Sequence, residues 1–167
     1  MKTIKQLSRI CLFSIVFTSF ATVLTAQKKP SDKAVQITNM LDSQHYVFYA
    51  QSVLPASGRQ RYLTSEYTLS VSKDTIICEL PYFGRAYSAP IGNTDGGIRF
   101  TSVKFTYTKT AEKKGSWRIT IKPTDYQDVQ QLVLTVYDNG TAYLSVNSNN
   151  RQAISFNGSV RPSITKY

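Results

Sequence analysis

The sequence predicts a mainly β domain, an antiparallel meander of about seven or eight strands forming a barrel or curved sandwich, with one N-terminal helix. Three observations predict it. From residue 45 onward the apolar residues recur with a period of two, the mark of half-buried antiparallel strands. Short turn-forming clusters separate those runs at the spacing of a meander. A single stretch, KAVQITNMLDSQ, breaks the pattern, with Ala34, Ile37, Met40 and Leu41 at spacings of three and four.

Residues 1–26 read as a leader. Lys2, Lys5 and Arg9 precede the apolar run ICLFSIVFTSFATVL, and Ala26 offers a small residue for cleavage before Gln27. That order of regions describes a secretory signal peptide. Leu24, third before the cut, fits less well, and an uncleaved anchor is the competing reading. The run of 15 residues is short, however, against the roughly 18 needed to span a bilayer. No small-residue cleavage pattern precedes Cys11, which argues against a lipoprotein. The protein is therefore expected to be exported, periplasmic or secreted, with no membrane span after cleavage.

Residues 27–44 form a linker and the helix, which Ser31 or Asp32 caps, and residues 45–167 form the β domain. The segment YVFYAQSVL is apolar on both faces and suits a central strand. YLTSEYTLSVS alternates, with Leu63, Tyr67, Leu69 and Val71 on one side; DTIICELPY follows after a tight turn. SVKFTYTKT sets Val103, Phe105 and Tyr107 against Lys104, Thr106 and Thr108, and SWRITIKP sets Trp117, Ile119 and Ile121 against Arg118, Thr120 and Lys122. In LVLTVYDNGTAYLSV, a three-residue loop of Asp138, Asn139 and Gly140 puts Leu132, Leu134 and Val136 on the same face as Ala142, Leu144 and Val146. A two-residue loop would scatter them, so a type I turn with Gly140 left-handed is expected. The last strand, QAISFNGSV, aligns Ile154, Phe156 and Val160.

Between two clear strands lies ELPYFGRAYSAPIGNTDGGIRF, which holds two prolines, four glycines and two arginines in 22 residues. Pro81 ends pairing because it has no N–H to donate. Gly84 is expected to take a backbone angle closed to other residues, and Pro90 to keep Ala89 extended. GIRF then re-enters the sheet. Tyr82, Phe83 and Tyr87 are read as anchors pinning an irregular crossing to the barrel end. Arg85 is the residue that packing does not need; it either bridges to a carboxylate or to loop carbonyls, or contacts a ligand. Tyr82, Phe83, Arg85 and Tyr87 are the candidate ligand- or partner-binding residues.

The residues for familiar chemistry are scarce. His45 is the only histidine, at the junction of helix and first strand, and no nucleophile elbow accompanies it. Once the leader is removed Cys78 is the sole cysteine, so no internal disulfide forms, and its place in TIICEL suits a buried thiol. Asp125 and Asp128 resemble turn and strand-entry residues, and no pair of carboxyls has glycosidase spacing. No metal-ligand cluster, cofactor motif or phosphate loop is visible. Cleavage of the leader removes three bases and no acid, so the net charge falls from +10 to +7. The remaining charge is spread rather than gathered into a stripe, which argues against nucleic-acid binding.

The motifs LPYFGRAYSAP, GGIRFTS, ITIKP and SNNRQAISFNG, in that order, resemble those of the bacterial domain of unknown function 4251 family, exported proteins found chiefly in the Bacteroidetes. The likeness runs from about His45 to Val160. It implies an exported, predominantly β domain, no established activity, and no catalytic or binding residues to carry over.

Two functional readings are expected. One is a non-catalytic binding module for a small apolar or amphipathic ligand, since small barrels enclose such ligands and tyrosine-rich walls suit them. The other is a structural or protein-interaction component of the cell envelope, in which SVLPASGRQRYL and the 79–100 stretch present Arg and Tyr to a partner.

Overall fold

The computed structural model describes residues 31–85, 96–113 and 115–163; the leader, Tyr87, Ala89 and Pro90 lie outside the described residues. The helix α1 spans Asp32–Ser43. Ser31 caps it, its hydroxyl accepting from the Ala34 N–H at 3.2 Å, and Gln44 ends it in the left-handed conformation. Twelve residues make a marginal helix alone. Burial of Ile37, Met40 and Leu41, about 1.5–3 kcal/mol each, outweighs the ~1 kcal/mol of the cap, so docking decides its formation.

The strands are β1 (Tyr46–Pro55), β2 (Arg61–Val71), β3 (Ile76–Leu80), β4 (Ile98–Ser102), β5 (Phe105–Glu112), β6 (Ser116–Pro123), β7 (Val129–Tyr137), β8 (Thr141–Ser148) and β9 (Ile154–Pro162). They form one antiparallel sheet in the order β4-β3-β2-β1-β9-β8-β7-β6-β5. An even number of antiparallel steps separates the edge strands, so β4 and β5 run in the same direction. Only Val103 and Lys104 stand between them. The two edges of the sheet are therefore successive stretches of one chain run, and the sheet curls into a nearly closed barrel.

That bend accounts for nine strands where seven or eight were expected. The alternation of SVKFTYTKT suggests one uninterrupted strand, but Val103 is 62 % exposed and belongs to neither neighbour. Asp125, in the β6–β7 turn, holds the bend: its carboxylate accepts the backbone N–H groups of Val103 and Lys104 at 2.8 and 3.0 Å and the Ser102 hydroxyl. Thr124 adds its N–H and hydroxyl to the Lys104 carbonyl.

The interior is filled by side chains. Phe48, Val53, Leu69, Ile76, Cys78, Ile119, Leu134, Leu144 and Phe156 are all fully buried in one cluster. β1 is buried on both faces along most of its length, as expected of a central strand. In β2 the alternation holds only from Tyr67 to Val71. Ala50 and Ser52 pair with Tyr67 and Tyr62, so four residues of β2 stand opposite one of β1, and this bulge breaks the pattern.

The β7–β8 hairpin has the anticipated register, Val136 opposite Ala142, Leu134 opposite Leu144 and Leu132 opposite Val146. Gly140 closes it at φ 83°, where a side chain would be strained. Here α1 crosses one end of the barrel. Tyr107 donates its hydroxyl to the Leu41 carbonyl at 3.2 Å and meets the buried Tyr46 hydroxyl, and Lys109 pairs with Asp42.

The seam should be acid-sensitive. The Ser102 hydroxyl, followed by the Val103 N–H, holds the Asp125 carboxyl below its usual range. A depressed folded-state value stabilises above the unfolded value of about 3.9 and is lost as pH falls through the folded one. Thermal midpoints measured from pH 6 downward should fall more steeply below about pH 4 in the wild type than in Asp125→Asn. Parallel curves would show that Asp125 does not hold the seam.

Candidate binding site at the end remote from the helix

Three connections meet at the far end of the barrel: β3–β4, β6–β7 and β8–β9. Each is built from residues that cannot continue a strand. Pro81 follows the last residue of β3, Thr124 to Asp128 carry turn-forming Asp residues, and Asn149-Asn150 open the third. Arg151 joins them. It stands in a polar turn, where an arginine would ordinarily be solvated, yet it is only 3 % exposed.

The Arg151 Nη1 donates to the Gly96 and Gly97 carbonyls at 2.8 and 3.1 Å, which fixes the return into β4. Its Nε lies 3.2 Å from Asp128 Oδ2 of the β6–β7 turn. That is ion-pair distance but off the line of a hydrogen bond, and Nε, Nη2 and this carboxylate oxygen have no hydrogen-bond partner among the described residues. The contact is therefore Coulombic, between a buried guanidinium and a half-buried carboxylate. The guanidinium carbon also lies 5.2 Å from the centre of the Tyr82 ring, close enough for a cation–π contact.

Tyr82 completes the junction. Its hydroxyl is 2.8 Å from the Arg85 carbonyl and 3.2 Å from that of Gln152, whose own N–H donates to the Arg85 carbonyl at 3.2 Å. On the other side, the Asn149 N–H donates to the Asp128 carbonyl and its side-chain amide to the Gln127 carbonyl. Tyr126 stacks on Phe100 with ring centres 4.5 Å apart.

The expected residues therefore separate. Tyr82 is an anchor, as read from the sequence. Phe83 is 40 % exposed, with the Arg61 guanidinium 5.5 Å above its ring. Arg85 is exposed, and it is the backbone carbonyl that ties the crossing down. Tyr87 lies outside the described residues. Gly84 does not adopt a left-handed angle; a Cβ there would press on the Tyr82 hydroxyl, so close approach of that ring is its physical role. The sequence reads Asp128 only as a turn or strand-entry residue, a place it does hold before β7, and does not single out Arg151 at all, because nothing in SNNRQ distinguishes a buried arginine from a surface one.

Beside this junction an open cleft of about 440 Å³ separates the β6–β7 and β8–β9 turns. Thr124, Tyr126, Gln127, Gln130, Asn149 and Asn150 contribute its polar lining. His45 lies by the helix end, where its N–H reaches the Met40 carbonyl. Cys78 is fully buried in β3, its thiol pushed up by burial and then by Glu79. Among the described residues, no three His, Cys, Asp or Glu side chains gather as metal ligands, and no helix is long and apolar enough to cross a membrane.

A sequence profile described as "Domain of unknown function (DUF4251)" matches residues 28–160, most of the chain, and the chain belongs to that family. The crystal structure of a DUF4251 family protein from Bacteroides eggerthii is similar in fold, with a TM-score of 0.57 at 18 % identity, covering 78 % of this chain and 87 % of that one. No curated protein matches the chain.

Two substitutions separate the roles of the arginines. Arg151→Ala leaves the half-buried Asp128 unpaired and the Gly96 and Gly97 carbonyls without their donor, and should lower the urea-unfolding free energy by about 2–3 kcal/mol. Arg85→Ala keeps the carbonyl that accepts from Tyr82 and should stay within about 0.5 kcal/mol of wild type. Equal losses in the two variants would contradict this assignment.

Proposed function

We propose that this member of the DUF4251 family is a non-catalytic binding module that takes a small amphipathic ligand at the end of the barrel remote from α1. The observation carrying the reading is the buried Arg151 paired with the half-buried Asp128 and with Tyr82. Desolvating two charges is unfavourable where apolar packing would serve, and such a pair is best understood as fixing one arrangement of its surroundings. Here it ties the described ends of the β3–β4 connection to the β6–β7 and β8–β9 turns, and turns held in place lose little freedom when a ligand binds. The other end is crossed by the helix, and side chains fill the interior around Phe48 and Phe156. These features favour a ligand on the rim over one enclosed in the barrel. His45 and Cys78 lie on different elements, one exposed and one buried, which supports a role without catalysis. The leader-like residues 1–26 support action outside the cytoplasm.

A second reading, an interaction component of the cell envelope, draws on Tyr62, which is 84 % exposed beside Arg61 and its partner ring Phe83. Arg and Tyr are favoured at the centres of protein interfaces.

Thermal-shift titration with lysophospholipids, fatty acids, short peptides and oligosaccharides distinguishes them. The rim reading expects at least one class to raise the midpoint of the wild type, less so for Tyr126→Ala, and equally for the helix-end variant Asp42→Ala. No stabilisation by any class, or equal stabilisation of all three proteins, would overturn it. Crosslinking at Tyr62 in envelope fractions then tests the second reading.

A further inference from the structure

We propose that the cleft between the β6–β7 and β8–β9 turns binds a neutral saccharide, one or two rings of an oligosaccharide. The inference rests on the rim reading above and names its ligand class. The cleft's size, about 440 Å³, falls within the ~300–1,000 Å³ of small-molecule sites. Its lining is the unusual part. Gln127, Gln130 and Asn150 supply amide groups that both donate and accept, as a polyhydroxylated ligand requires, and Thr124 and Asn149, whose donors serve the Lys104 and Gln127 carbonyls, add acceptor oxygens. Tyr126 adds an aromatic ring that Phe100 holds in place, and the C–H faces of a sugar pack on such rings. No acid or base lines the cleft, in a chain of net charge +10.

The charged groups that flank the cleft's two turns are directed into the fold. Asp128 faces Arg151, Arg151 also serves Gly96 and Gly97, and Asp125 is taken up by Ser102, Val103 and Lys104. No charged side chain lines the cleft, while a neutral ligand with many hydroxyls finds convergent partners. The two walls are also tied together, by the Asn149 N–H to the Asp128 carbonyl and by the Asn149 amide to the Gln127 carbonyl. Gln127, Gln130 and Asn150 are exposed, so their side chains remain available to a ligand without supporting the core.

The test is titration of the full chain with cello-, malto-, manno- and xylo-oligosaccharides, and with an oligogalacturonate as charged comparator, followed by NMR chemical shifts. One neutral series should saturate at or below millimolar concentration, with shifts centred on Gln127, Gln130, Asn149 and Asn150. Gln130→Ala and Asn150→Ala should each weaken it about five- to tenfold, one or so hydrogen bonds apiece, with unchanged thermal midpoints. Absence of saturable binding by every neutral series, preference for the oligogalacturonate, or affinity indifferent to both substitutions would overturn the proposal. If a lipid or peptide instead binds this end, the saccharide assignment fails while the rim reading stands. If nothing binds there, both fail.

Discussion

The far end of this barrel depends on one buried guanidinium. Arg151, on the β8–β9 connection, is held by the Gly96 and Gly97 carbonyls and the Tyr82 ring, at the two ends of the β3–β4 connection, and by Asp128 of the β6–β7 turn. A cation with so little exposure is tolerable only because an anion lies beside it and carbonyl dipoles converge on it. Since the arginine and its partners together span three connections, satisfying the charge and ordering these contacts are one event. Tyr82 then binds the Arg85 and Gln152 carbonyls, extending the order to the first part of the long crossing.

The barrel's own closure is a separate matter with a similar solution. A curled sheet with two free edges invites edge-to-edge pairing. Here the edges are consecutive stretches of one run, and the Asp125 carboxylate absorbs the N–H groups left unpaired where the run bends. The β6–β7 turn thus serves both devices: Asp125 at its start clasps the seam, and Asp128 at its end balances Arg151. The cleft beside them takes its shape from the same five residues of chain, which links closure of the fold to the geometry of the candidate site.

Most of the fold was legible in the sequence because the deciding interactions are local. The cap of α1, its buried face, and the register of the β7–β8 hairpin follow from residues within a few positions of one another. What escaped depends on distant partners. Val103 continues a regular alternation, and only Asp125, 22 positions on, reveals the break. The chain between Tyr62 and Tyr67 reads as strand, and only its pairing with β1 exposes the bulge. Arg151 looks like any turn arginine until a carbonyl 55 positions away is brought to it. Of the candidate residues, Tyr82 was singled out through its setting among turn formers and holds a structural place at the junction, whereas Arg151, which faces its ring, left no local signal.

The claim that one charge orders the junction of the three connections is tested most directly by native-state hydrogen exchange in Arg151→Met. The Asn149 and Gln152 amides, bonded to the Asp128 and Arg85 carbonyls, report on two different connections. The account predicts that both lose protection by a similar factor, while the Gly140 and Val160 amides at the helix end keep theirs. Unchanged protection at Asn149 and Gln152, or an equal loss at both ends of the barrel, would contradict it.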